Sequence, residues 1–421
     1  MEVQLNEADV RAALESKLGR KDLELVSWEQ KSLMEDGRLG YLGDHFMLEA
    51  RVRLPCAAAT DVTLFVKALP KNPTARKTCT TSGLFRKEAL FYGLLSADMI
   101  AAMRQERPGF QPFVFPACHL IKDDCILLDD LSRSGFKGMG GRECMPIEHA
   151  RLVVKALGEL HAAGLVLEER AGGRTLVDQF PEINYETFFC PDPEHAMAKW
   201  HQASIKLCVA IVPHLDKYKG DSAAIAKAQA ALPDLLRSLF DKFGAWPGVR
   251  NTLCHGDVWI NNFMFRYDAS GAPVETSLVD FQLARYTPPA HDLIMFIAFC
   301  TDRAFQKRYL DELTRLHYDS MAAALRRAGC DPDKVLPWSE FQDVAAKQWK
   351  YGLLMMALEQ PFSLAPSSLM DPLLVDEKKF YQHCHVDRTD AIIKLYEEDA
   401  YFRSRYNETM EGIIDNYILN A

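Results

Sequence analysis

His255-Gly-Asp257, Asn262 and Val279-Asp280-Phe-Gln282 are the residues whose types and order point to chemistry. Asn262 follows Asp257 by five residues, and Asp280 follows Asn262 by eighteen. The spacing predicts a short loop carrying Asp257, a strand, a turn and a return strand ending at Asp280. Such an arrangement sets a carboxylate base and two oxygen ligands for Mg2+ around one phosphate. Phosphoryl transfer asks a protein mainly for positioning and charge neutralisation, and this set offers both. Taken singly, each residue is an ordinary turn Asn or Asp at a strand end. The ordered set carries the signal.

The flanking pattern suits that placement. Residues 249–254 read as a strand entering the motif, and 262–267 as an aromatic-rich strand. Residues 268–273 have turn chemistry, and 274–279 form the return strand. Pro288-Pro-Ala-His-Asp292 opens a strongly apolar helix. Asp292 near its start reads most simply as a cap on helix N–H groups, with a brace on the Asp257 loop as the other reading.

Upstream, residues 1–30 read as a helix leading to a strand near 23–28, and 46–54 and 62–67 as further strands. The glycine-spaced turn holding Gly37, Gly40 and Gly43 either lays backbone N–H groups over phosphates or is a plain hairpin. Lys67 ends an apolar strand, where an unpaired cation is costly to bury. Glu88, in the helical stretch 85–95, is its candidate partner, a pairing that grips the α- and β-phosphates of a nucleotide. The alternative is a snorkelling Lys and a solvated helix Glu. Residues 113–116, 118–121 and 125–128 resemble the last strands of a small sheet, after which the backbone of Leu128, Asp129 and Leu131 is expected to face an adenine. The Gly/Ser-rich stretch 132–141 marks the expected boundary between a nucleotide-binding lobe, 1–131, and a larger lobe, 132–421. It reads equally as a flexible linker.

Beyond it, 146–163 has helical periodicity, with His161 as a core or interface histidine. Residues 170–248 are mostly helical and are the candidate substrate-covering insertion, and 305–418 are helical by pattern. His383-Cys-His385 is read as extended; adjacent side chains would then point opposite ways, which argues against a metal site.

At 421 residues the chain exceeds a comfortable single core, and 48% hydrophobic with 25% charged residues is ordinary for a soluble enzyme. A net charge of −9 argues against a nucleic-acid partner. No basic-then-apolar leader opens the chain, and no stretch approaches the roughly 18 apolar residues that span a bilayer. Eleven cysteines, scattered singly, fit reduced thiols in a cytoplasmic protein.

On these residues the chain resembles the ecdysteroid kinase-like family. The carriers are His255–Phe265, Leu278–Gln282, Leu127–Leu131, Phe85–Glu88 and Gly43–Phe46, spread from about residue 40 to 300. The resemblance implies an α+β, bilobal, protein-kinase-like fold, with a small antiparallel-sheet N-lobe and a larger, mainly helical C-lobe. It implies ATP between the lobes, Asp257 as base, Asn262 and Asp280 as Mg2+ ligands, and Lys67 with Glu88 on the nucleotide. The acceptor it implies is a hydroxyl of an ecdysteroid or another hydrophobic alcohol, in a family associated with insects and related animals. Three positions depart from the expected pattern: His45 and Leu48 in the phosphate loop, and Gln282 where protein kinases carry Gly.

A protein kinase is disfavoured, because only 281–291 separates Asp280 from Asp292 and Gly256 replaces the Arg that reads an activation-loop phosphate. A choline- or aminoglycoside-type kinase remains open and would call for an acidic or aromatic cage. So does a non-catalytic nucleotide-binding protein, against which the presence of Lys67, Glu88, Asp257, Asn262 and Asp280 weighs.

Overall fold

A computed structural model of the chain describes residues 5–33, 43–104 and 115–420. Gly37 and Gly40 of the glycine-spaced turn lie outside the described residues, as do positions 113 and 114 of the strand expected at 113–116.

The N-terminal region is a five-stranded antiparallel sheet built from β1 (Glu24–Ser32), β2 (Asp44–Arg53), β3 (Thr60–Ala68), β4 (Cys118–Ile121) and β5 (Cys125–Asp129). Its order is β1-β2-β3-β5-β4. Alternation decides which face each residue takes. Phe46, Leu48, Ala50 and Val52 of β2 pack with Leu64 and Val66 of β3 in one small core, closed by Val10, Ala13 and Leu14 of the helix Glu7–Leu18. That helix starts on a capping box between Asn6 and Asp9. Phe65 and Lys67, one residue out of phase, take the opposite face, and the register sets His45 beside Lys67. On that side lie three helices, Pro73–Thr81, Leu84–Leu90 and Ser96–Arg104, of which only the second was legible in the pattern.

The stretch 132–141 is more than a linker. It forms a 3-10 turn, Leu131–Ser134, and then β6 (Phe136–Gly138). β6 pairs with β8 (Phe263–Tyr267), which in turn pairs with β9 (Pro273–Leu278) in a three-stranded sheet. β7 (Thr252–Cys254) instead pairs with β10 (Arg285–Thr287), so the chain between Asp280 and Asp292 is itself taken up in structure.

The rest is helical. The long helices Ile147–Arg170 and Arg303–Arg327 cross closely at Gly158, where an added Cβ would lie 2.7 Å from the carbonyl oxygen of His317. The apolar helix Ala290–Cys300 is buried along nearly its whole length and packs on Trp338–Ser363. Among the described residues no helix is long and apolar enough to cross a membrane. None of the eleven cysteines is in a disulfide.

One expectation fails outright. His383 and His385 are not on an extended segment; they end the helix Glu377–His385. Asp376 caps that helix by accepting from the N–H groups of Lys378 and Lys379, a start signal that outweighs the local polarity. Neither histidine joins a cluster of metal-ligating side chains among the described residues.

Candidate active site

Lys67 is the hinge of the site. Its Nζ lies 2.6 Å from Glu88 Oε2 and 2.6 Å from Asp280 Oδ1. The predicted strand–helix ion pair is therefore present, with a second carboxylate added. Burial disfavours the ammonium charge, but Asp280 and Glu88 together outweigh it and hold the Lys67 pKa above its ordinary value. Burial pushes Glu88 upward, and Lys67 only partly restrains it. His45, beside Lys67 in the register, is kept neutral by burial and by that cation, its pKa falling to about 4.

Asp257 sits on the loop between β7 and the 3-10 turn Ile260–Asn262. Asn262 closes that turn instead of opening the strand, and this sets its amide. Its Nδ2 donates to the backbone carbonyl of Asp257 at 2.8 Å, leaving the carbonyl Oδ1 as the atom available to a cation. Val279 N–H donates to the Asn262 carbonyl at 3.0 Å, tying the Asp280 strand end to the same turn. Asp257 is raised well above the usual carboxylate range, first by burial and then by the neighbouring charge of Asp280, while hydrogen bonds from Asn262 and Gln282 oppose the rise. Two neighbouring carboxylates and the Asn262 amide oxygen form a hard oxygen donor set, which suits Mg2+.

Asp280 has φ 68°, a left-handed conformation that Asp tolerates better than most residues. The backbone on both sides is fixed. His255 Nε2 donates to the carbonyl of Val279 at 3.0 Å. The ring of Phe281 stacks on Phe91 at 3.6 Å between centroids and lies 4.4 Å from the His255 ring. The strain is thus held by packing, as is common where a backbone must aim one side chain.

Asp292 is not a helix cap. The helix Ala290–Cys300 has no side-chain cap. The fully buried Asp292 carboxylate reaches back instead, accepting from His255 N–H at 2.6 Å, Gly256 N–H at 2.9 Å and His161 Nε2 at 3.0 Å. His161 is in turn 2.9 Å from Nε2 of the buried His317. The bracing alternative is the one realised. Burial works against this charge, but the hydrogen bond and charge of His161 outweigh it and hold Asp292 well below the usual range. Gly256 is required in this loop: it has φ +78°, and a Cβ there would meet the Leu283 carbonyl oxygen at 2.1 Å. No arginine fits where protein kinases place one.

The cleft that gathers these groups has about 1040 Å3 of empty volume, open solvent included. Gly43, His45, Lys67, Asp257, Asn262, Asp280 and Gln282 line one part of it. Phe188, Trp200, Phe243, Met295, Phe299, Met355, Glu359 and Phe362 line the other. Glu88 stands behind Lys67. Leu128, Asp129 and Leu131 are not among the lining residues, and the Asp129 carboxylate is engaged elsewhere, by Lys17 and by His119 at 2.7 Å. Gln282 and the apolar half of the cleft went unread in the sequence. Gln282 stood out as the end of the Leu278–Gln282 stretch and as a departure from a glycine, and Trp200 only as part of the 170–248 insertion.

An antiparallel sheet region, a helical region and a cleft carrying this lysine–acid–amide–acid set define a kinase-like protein. The ecdysteroid kinase-like family profile matches residues 41–330, well over half of the chain, and the chain belongs to that family. A comparison with curated proteins finds no match. Among solved structures, a Plasmodium vivax ethanolamine kinase is similar at TM-score 0.39 and 10% identity, over 90% of this chain and 83% of that one. A microcompartment-associated aminopropanol kinase is similar at TM-score 0.37 and 12% identity, over 96% of this chain and 100% of that one. A choline/ethanolamine kinase family protein from Mesorhizobium loti is similar at TM-score 0.36 and 14% identity, over 96% and 98%.

Proposed function

We propose that the protein is an ATP-dependent small-molecule kinase that phosphorylates a hydroxyl of a hydrophobic alcohol, an ecdysteroid or related steroid. The observation that carries this reading is one continuous cleft. Lys67, Asp257, Asn262 and Asp280 line one half and a largely apolar wall lines the other. ATP occupies the first half, between an N-lobe of residues 1–131 and a C-lobe of residues 132–421. Gly43 lies over the phosphates, and the backbone of Leu128, Asp129 and Leu131 faces the adenine. Lys67, held by Glu88, binds the α- and β-phosphates. The protein acts in the cytoplasm.

Asp257 orients the acceptor hydroxyl and takes its proton as the oxygen bonds to the γ-phosphorus and the bond to the ADP oxygen breaks. Its raised pKa suits a base working near neutral pH. Asn262, through Oδ1, and Asp280 would hold Mg2+, which when bound neutralises charge on the phosphate oxygens. Gln282 keeps the Asp257 carboxylate in place through its hydrogen bond. The apolar wall excludes water from the transfer.

A second reading, an amino-alcohol acceptor of the choline or aminoglycoside type, is favoured by one observation: Glu359 stands among aromatic side chains in the cleft. One experiment tests both. The protein is incubated with ATP and Mg2+ and either an ecdysteroid, choline or an aminoglycoside, and products are read by mass spectrometry. A phosphate ester of the ecdysteroid, lost when EDTA removes the metal, is the expected result. Phosphocholine or a phosphorylated aminoglycoside with no steroid ester favours the second reading. Nucleotide binding without any ester speaks for a non-catalytic protein.

A further inference from the structure

The acceptor half of the cleft carries one acid, Glu359, on the helix Trp338–Ser363. Trp200 Nε1 donates to its Oε1 at 3.2 Å, which fixes one carboxylate oxygen of a side chain that lines the cleft. Behind it lies Arg388, a fully buried guanidinium. Arg388 donates to the carbonyl oxygens of Trp200, His383 and Cys384 and to the Ser204 hydroxyl, and no carboxylate is within ion-pair distance of it among the described residues. Its charge instead offsets that of Glu359 through space. This part of the wall is therefore close to neutral as a whole.

The aromatic rings here are not an open cage. Trp200 and Phe362 stack on each other at 3.9 Å between centroids. The Arg388 guanidinium lies 5.1 Å from the Trp200 centroid and 4.2 Å from that of Phe362. Phe243 has its own cation, Arg285, at 5.1 Å. Rings already paired with arginines have little to offer a ligand ammonium. A neutral molecule with an apolar body and a second hydroxyl meets no such penalty. Burial raises the Glu359 pKa to about 7, so near neutrality the group exists in both forms and can accept from a hydroxyl or donate to one.

We propose that Glu359 is a specificity residue that hydrogen-bonds a second hydroxyl of the acceptor, and that the acceptor is a neutral, apolar polyol and not an amino alcohol. The proposal deepens the reading above and rests on the acceptor occupying this half of the cleft. Isothermal titration calorimetry without ATP tests it independently of any chemistry. The ligands are an ecdysteroid, a monohydroxy sterol and choline, and the proteins are wild type, Glu359→Gln and Glu359→Leu. Loss of one hydrogen bond to an ionisable group predicts about tenfold or more weaker ecdysteroid binding in Glu359→Leu. Glu359→Gln, which keeps the shape and a carbonyl acceptor, stays within a few-fold and controls for folding. The monohydroxy sterol binds both variants and wild type alike. Choline binding wild type more tightly than the ecdysteroid overturns the proposal. So does ecdysteroid affinity unchanged by Glu359→Leu, or absent from wild type. If binding follows Glu359 but no ester forms with ATP, the phosphotransfer reading fails and the polyol assignment stands.

Discussion

Asp257→Asn is expected to lower kcat by about 10²–10⁴-fold while the KM for ATP stays within a few-fold, because a positioned base acts on the transition state and hardly at all on bound nucleotide. The substitution is close to isosteric. Asn262 still donates to the backbone carbonyl of residue 257, so the loop keeps its shape. What disappears is the carboxylate that accepts the hydroxyl proton. Because burial and the Asp280 charge both disfavour an ionised Asp257, the variant also relieves a buried repulsion, and its melting temperature should rise or hold steady. Steady-state kinetics with the ecdysteroid, together with a thermal melt, check both halves. Wild-type kcat in the variant would remove Asp257 from the chemistry.

Asp292→Ala is expected to cost about 3–5 kcal/mol of stability, the range for breaking a buried ionic hydrogen-bonded group by removing one partner. Three donors lose their acceptor together: His255 N–H, Gly256 N–H and His161 Nε2. Two of them belong to the loop that aims Asp257, so activity should fall along with stability. Asp292→Asn keeps one oxygen acceptor and should recover part of the loss. Urea unfolding midpoints for the three proteins measure the effect. An Asp292→Ala midpoint equal to wild type would mean that the loop does not depend on this brace.

The meeting of Asp257, Asn262 and Asp280 was legible because it depends on residue spacing at short range. Asp257 to Asn262 is one loop and Asn262 to Asp280 is one hairpin, so spacing alone constrains their meeting. Lys67 and Glu88 were legible for a different reason: a cation out of phase on an apolar strand needs a buried partner, and a nearby helix carried an acid. Asp292 was ambiguous because position in a helix does not say which N–H groups a carboxylate will meet. Tertiary packing chose those of the preceding loop. The acceptor half was not readable at all. Trp200 and Glu359 come from two helices and Arg388 from the residue just before a third, all far apart in sequence, and helix packing, not local patterns, brings them together. The error at 383–385 has a local cause, an N-capping Asp376 passed over in a polar stretch.

The central claim is that Asn262 and Asp280 hold a divalent cation against the phosphates of ATP, beside Asp257. A crystal structure of the protein with Mn2+ in place of Mg2+ and a non-hydrolysable ATP analogue tests this most directly, because Mn2+ is located by its anomalous scattering. The account predicts an anomalous peak at about 2.0–2.2 Å from Asn262 Oδ1 and from an Asp280 oxygen, with Lys67 on the α- and β-phosphates. A peak elsewhere, or nucleotide bound with Asp280 still closed on Lys67 and no metal at Asn262, would contradict it.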